Sequence, residues 1–303
     1  MKKLSLLMLA FAATLTLAFA GETPLKGTYS KHYDFRDFTA LAVSNSFQVD
    51  FAFSDDWTVD VTVPDFIQPY LKVTCIGNRV RIGLEKLPRD VQRKLNDLKD
   101  PLQATVRMPK LLSLALSGAA RLKAEGEQVL QNENLHIDLS GSSKLQTLVS
   151  SGNGTLNLEV SGASKAELKA DFSVMNIDLS GASKLELEGN SGKVNIDCSG
   201  ASGCAIEGKV LSMNADLSGS SKLRLNGPVG NLKLDQSGAS KFTASEEIAQ
   251  AHVEVSGASS CHVIVTEQLT YELSGASTLH VKNMGGASVT GEQSRGSKID
   301  FVR

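Results

Sequence analysis

The sequence predicts an all-β protein, a single-stranded right-handed parallel β-helix (a solenoid) with coils of about 19 residues and an irregular β-rich amino-terminal cap. Three observations carry this. A Ser-Gly-Ala/Ser-Ser phrase recurs with its first serine at 117, 140, 161, 180, 199, 218, 237, 256 and 274. A fixed period near 20 marks a stack of short units that bury their apolar faces only on one another. The residues flanking each phrase alternate apolar and polar, the period of a strand with one buried face. Glycine holds the second position of every copy, from Gly118 to Gly275, as a corner with a backbone conformation closed to other residues or a close main-chain approach requires.

The elements follow in chain order. Met1-Lys2-Lys3 is a short basic segment, Leu4 to Phe19 is apolar apart from Ser5, Thr14 and Thr16, and Ala18-Phe19-Ala20 has the small-x-small pattern of a signal peptidase site. Residues 1–20 are therefore expected to be a signal peptide, the apolar stretch being short for a membrane anchor. Beyond residue 20 no apolar run reaches the roughly 20 residues that a spanning helix needs, so no transmembrane segment is expected in the mature chain.

Residues 21–113 lack the period but read as irregular capping coils. Ala40 to Phe53 alternates in part, Trp57 to Val63 alternates cleanly, and Leu71–Ile76 meets Arg79–Leu84 across Gly77-Asn78, a hairpin signal. Pro88 to Asp100 is charged and reads as a short surface helix or loop. Most aromatics fall in this region, where an otherwise open end of the stack needs a cover.

Residues 114–303 are the regular repeats, continuous with the cap in one structural unit. Aligned on the phrase, Leu135, Leu156, Met175, Val194, Met213 and Leu232 form one apolar column, and Leu139, Val160, Leu179, Cys198 and Leu217 another. After the corner, Leu145, Leu185, Leu223 and Phe242 face inward. Nineteen residues leave no room for a crossover helix, so a strand must coil back on a strand. The hand is expected to be right, as for nearly all parallel β crossovers.

A formal net charge of -2, from 31 basic and 33 acidic residues, offers no electrostatic case for nucleic acid. Few aromatics lie in the repeats to stack on sugars. The uniform coils from Ser161 to Ser256 leave no long loop to build a cleft.

The segments FTALAVSNSFQVDF (38–51), WTVDVTV (57–63), LKVTCIGNRVRIGLE (71–85) and ATVRMPKLLSLALSGAARLKAEG (104–126), followed by SGAS repeats, resemble the head GIN domain family of auto-transporter adhesins. That resemblance implies an exported bacterial protein of the periplasm, cell surface or extracellular space, built on a right-handed β-helix. It also implies a noncatalytic binding or scaffold role, with a glycan or another envelope protein as partner. The competing class is a polysaccharide-acting lyase or hydrolase, since such enzymes use the same scaffold, although fold does not carry function.

The largest chemical feature is an acidic column, Asp138, Glu159, Asp178, Asp197, Asp216, Asp235, Glu254 and Glu272, one carboxylate per coil. Adjacent members should lie about 5 Å apart. Either this is a solvated ladder partly balanced by the basic column Arg121, Lys144, Lys165, Lys184, Lys222 and Lys241, or it is a binding face. Calcium bridging suits oxygen ligands, but the Gly-Gly-x-Gly-x-Asp pattern of calcium β-rolls is absent. Trp57 is the alternative binding residue. No catalytic residue and no cofactor are expected. His262 and His280 share one outward position on successive coils and are weak metal candidates, since a site usually takes three or four ligands. Cys198 and Cys204 flank one corner in inward columns, either as small hydrophobes or as a local bridge. Gln236, polar in a Leu/Val column, should bond to main chain or mark a distortion.

Overall fold

Columns of like residues pair only if each coil sits one period above the last, and the strands do this. The computed structural model describes residues 27–98, 102–283 and 286–302; the expected signal peptide lies outside them. The fold is a parallel β-solenoid of about 10 turns. Leu135 pairs with Leu156, which pairs with Met175, then Val194, Met213, Leu232 and Ala251 without slippage. Beyond the corner Leu145, Ala166, Leu185, Cys204, Leu223, Phe242, Cys261 and Leu279 form a second such column. Both columns belong to one continuous buried cluster running from Phe38 to Val281. Each buried Leu or Val there contributes about 1.5–3 kcal/mol through surface removed from water.

The corner explains its own sequence. Gly181 has φ +70°, and a Cβ on it would lie 2.7 Å from the carbonyl oxygen of Gly162 in the coil beneath. The next amide, Ala182 N–H, donates to that same oxygen at 2.7 Å, so the coils are drawn together where a side chain would intrude. Two serines on, the buried hydroxyls pair only in places: Ser143 with Ser164 at 3.2 Å and Ser240 with Ser259 at 3.3 Å. Ser183 and Ser221 have no hydrogen-bond partner among the described residues. Small size, more than hydrogen bonding, accounts for that column.

The cap departs from a simple run of coils. Its elements are β1 (Thr28–His32), β2 (Ala40–Val43), β3 (Phe47–Phe53), β4 (Thr58–Pro64), β5 (Leu71–Ile76), β6 (Arg79–Leu84), the helix α1 (Arg89–Asn96), β7 (Leu102–Met108), β8 (Ser113–Leu116) and β9 (Arg121–Glu125). The β5–β6 hairpin forms across Gly77-Asn78 as the sequence suggests, and α1 occupies the charged stretch. Order in space, however, is not order in sequence. β2 lies between β6 and β8, and β3 between β7 and β9, all parallel. The coil written first is thus enclosed by two written later. Outside it β4 runs antiparallel on β7, β1 antiparallel on β4, and β5 antiparallel on β6, which closes the end. Phe38, Phe47 and Phe51 fill the space beneath this cover, each buried.

Candidate functional site

The strand before each corner presents two outward columns. One carries Asp138, Glu159, Asp178, Asp197, Asp216, Asp235, Glu254 and Glu272 in register, and the pairing extends it to Glu292. Towards the cap the same column continues through Ala115 and Ala42 to Arg81, so the face turns from acidic to basic at its amino-terminal end. The other column is an amide ladder. Asn176 Nδ2 donates to Asn157 Oδ1 at 2.9 Å, Asn195 to Asn176 at 2.8 Å, and Asn214 to Asn195 at 3.0 Å. Each half-buried amide is fixed by its neighbours, which makes this the stiffest polar surface of the stack. A shallow groove of about 410 Å³ lies between amides and carboxylates.

The carboxylates are not balanced as the sequence suggested. Among the described residues only Glu254 has a basic side chain within ion-pair distance, the His252 imidazole, Nε2 at 3.2 Å. The basic column stands in register but past the corner, on another face, and among the described residues Lys165 is its member with acids within ion-pair distance. Lys165 Nζ meets Glu167 at 2.9 Å and Glu186 at 3.0 Å, and Lys169 meets Glu188 at 2.6 Å. Hydrogen bonds to Glu167 and then Glu186 hold the Lys165 ammonium above its ordinary value. The compensation expected across the bend is therefore absent. Partial burial, then the charges of Asp178 and Asp216, push the Asp197 carboxyl up.

The remaining candidates sit elsewhere. His262 and His280 stack with ring centroids 4.2 Å apart and planes at 20°. His262 Nδ1 is buried without a partner, whereas His280 Nδ1 lies 3.6 Å from Asp300. Desolvation, then His280 and Lys241, lower the His262 pKa. Among the described residues no three His, Cys, Asp or Glu side chains converge to hold a metal ion. Trp57 lies in the cap, partly buried, and its indole N–H donates to the Phe38 carbonyl at 3.0 Å. Its polar edge is occupied in holding the cap.

Cys198 and Cys204 are free, buried thiols; burial pushes Cys198 up to about 12 and Cys204 up as well. Both are inert at neutral pH. Gln236 is fully buried and donates from Nε2 to the Ser260 carbonyl at 3.1 Å, the main-chain bond expected of it. The Asn-x-acid spacing repeated at 157, 176, 195 and 214 is the sequence signal that identifies the ladder.

Residues 37–208, and again 173–285, match the family described as "putative auto-transporter adhesin, head GIN domain". The chain belongs to the head GIN domain family. Among solved structures, this head GIN chain is similar to a "putative adhesin" of Parabacteroides distasonis at 15% identity, with 91% of this chain and 97% of that one covered and a TM-score of 0.48. It is also similar to a "putative lipid binding protein" of the same organism (12% identity, 92% and 98% covered, TM-score 0.42). A "putative adhesin" of Parabacteroides merdae gives 12% identity, 92% and 97% covered and a TM-score of 0.42. No curated protein matches the chain in sequence. Among the described residues no helix is long and apolar enough to cross a membrane.

Proposed function

We propose that this chain is an exported, noncatalytic, adhesin-like binding protein of the bacterial envelope, and that its contact surface is the face carrying the amide and carboxylate ladders. The observation supporting this is the row of carboxylates left without cations beside a row of mutually fixed amides. Stacked like charges repel, so a stretch of stable fold that keeps them uncompensated has its counter-charge supplied from outside. A basic segment of another envelope protein, or a glycan held through bridging calcium, has that charge. Membership of a family described by adhesins supports the binding class over a lyase or hydrolase.

The test is a triple charge reversal, Asp178→Lys with Asp197→Lys and Asp216→Lys, on three adjacent coils. Capture of envelope proteins and glycans by the wild type should weaken with salt and with chelation, and should drop at least tenfold in the variant, while circular dichroism is unchanged. Release of reducing sugar from polysaccharide by the wild type would sink the noncatalytic reading.

A further inference from the structure

The first coils are longer than those that follow, and a groove lies beside the added residues. The coil opening at Ser117 has 23 residues before the next phrase and the coil opening at Ser140 has 21, against 19 in the next five. Part of this extra length falls on the third face, away from both ladders. There it appears as the loop 131–134, between the strands Glu127–Leu130 and Leu135–Leu139, and as a register shift between Gly152 and Thr155 in the strand Lys144–Val160; a second shift in that strand, between Leu145 and Leu148, lies just past the corner. Insertions in a solenoid map to loops on one face, often the binding face. Here they wall a groove of about 660 Å³.

The groove crosses four coil steps, roughly 19 Å at strand spacing. At one end stands Val129, at the other Leu211, respectively 66% and 56% exposed, the only large aliphatics so exposed on the repeats among the described residues. Between them the floor is low because Ser173 and Gly192 occupy the column that carries Leu211. Along one side runs a rail of polar groups already fixed in place. Asp171 Oδ1 accepts from the Asn190 main-chain N–H at 2.6 Å and from Asn190 Nδ2 at 3.0 Å. Asn190 Oδ1 accepts from the Lys209 amide at 2.9 Å. Asp171 Oδ2 and the second Asn190 amide hydrogen are not used by these bonds, and Lys209 follows them in the lining at the next coil.

The Asp171 carboxylate and the Asn190 amide are held by these bonds and a lysine follows at the next coil, so an acceptor and donors stand at coil spacing and a ligand meets a reduced ordering cost at the first two. Vicinal hydroxyls, each both donor and acceptor, complement such a rail, and the C–H faces of sugar rings complement Val129 and Leu211. A peptide zipping on by main-chain bonds is disfavoured, because the amides here are spent on neighbouring coils: Phe172 N–H on Asn190 O, Ser191 on Lys209 O, Val210 on Pro228 O. We infer that this insertion-walled groove is a binding site for a neutral oligosaccharide. The inference rests on the reading of the chain as a binding protein, but not on its acidic face.

The probe is a panel of immobilised neutral oligosaccharides of a few residues each, with calorimetry on those bound. Gly192→Phe fills the floor; its Cβ would sit 3.0 Å from the Ser173 carbonyl oxygen, a tight contact that the coil must relieve, so circular dichroism checks its fold. Leu211→Asp with Val129→Asp alters exposed rim residues outside the core. Both variants should lose binding at least tenfold, the rim variant with an unchanged thermal midpoint, and the triple ladder reversal should bind as wild type does. Unchanged binding in both groove variants overturns the inference, as does a wild-type protein that binds no member of the panel. Loss in the ladder variant alone places the sugar on the acidic face and overturns it too, leaving the binding-protein reading intact.

Discussion

Substituting Gly181 by alanine separates two reasons for a glycine. A left-handed backbone costs an L-residue about 1–2 kcal/mol. Gly181 adds a collision, its Cβ 2.7 Å from Gly162 O and 3.1 Å from Gly162 N. Relieving it lifts one coil from the next and stretches the 2.7 Å bond from Ala182 to that oxygen. Losing such a bond costs about 0.5–1.5 kcal/mol, so Gly181→Ala should destabilise by roughly 1.5–3.5 kcal/mol and Gly181→Val by more. Gly77, in the β5–β6 turn, is the control: φ is +60° and nothing lies within 4 Å of its Cβ position. Gly77→Ala should therefore cost about 1–2 kcal/mol, from backbone strain alone. Ser183→Ala should be neutral or stabilising, because the buried hydroxyl it removes has no partner among the described residues. Urea unfolding followed by far-ultraviolet circular dichroism reads all three. If Gly181→Ala falls within about 0.5 kcal/mol of Gly77→Ala, coil-to-coil contact is not what selects the corner glycine.

Deleting one whole coil, Ser180 to Cys198, should leave a soluble β-rich protein, because Leu179 then meets Ser199 in the same register; deleting ten residues there should abolish the cooperative transition. Asp197 takes up a proton more readily in the fold than in the unfolded chain, so its contribution to stability rises as pH falls through the raised value towards the ordinary 3.8. Asp197→Asn should accordingly stabilise at neutral pH by about 0.2–1 kcal/mol, the scale of exposed charge pairs, and should flatten stability in the acid range. His262 runs the other way: the unfolded chain binds the proton first, so stability should fall as pH drops through the ordinary 6.5. His262→Gln should remove that slope, and an unchanged pH profile of the thermal midpoint would refute the assignment.

The repeats could be read from sequence because every coil is measured against a nearly identical neighbour. Leu156, Met175, Val194 and Met213 differ in shape but not in place, and period-two alternation then sets which face is buried. Gly181 and Gln236 were readable for the same reason, each being judged against its column. The ion pairs were not. The basic column six residues beyond the acids suggests that Lys165 serves Glu159, but the corner turns the lysine onto a different face, where Glu167 and Glu186 are nearer. The cap resisted for want of any period: nothing local in β2 announces that β6 will pair with it before β8 does. The groove beside Val129 and Leu211 was hidden in the lengths of the first two coils, and only pairing shows that part of that extra length falls beside it.

The enclosed position of β2–β3 bears on how the chain finds its fold. From residue 135 onward each strand pairs with one about 19 residues away, so a finished coil is a template and growth needs only short loop closures. The enclosed coil has no such partner at hand. Gln48 pairs with Gln103 on one side and with Arg121 on the other. Both edges stay open until the chain has turned back beneath it and climbed past it again, and closure across such spans is entropically slow. Nucleation at the amino-terminal end is then the late step although its residues are made first, and the repeats can assemble without waiting for it. A chain emerging through a membrane would keep an unpaired apolar coil in hand over that interval, which makes the region before Ser113 the one most in need of a chaperone.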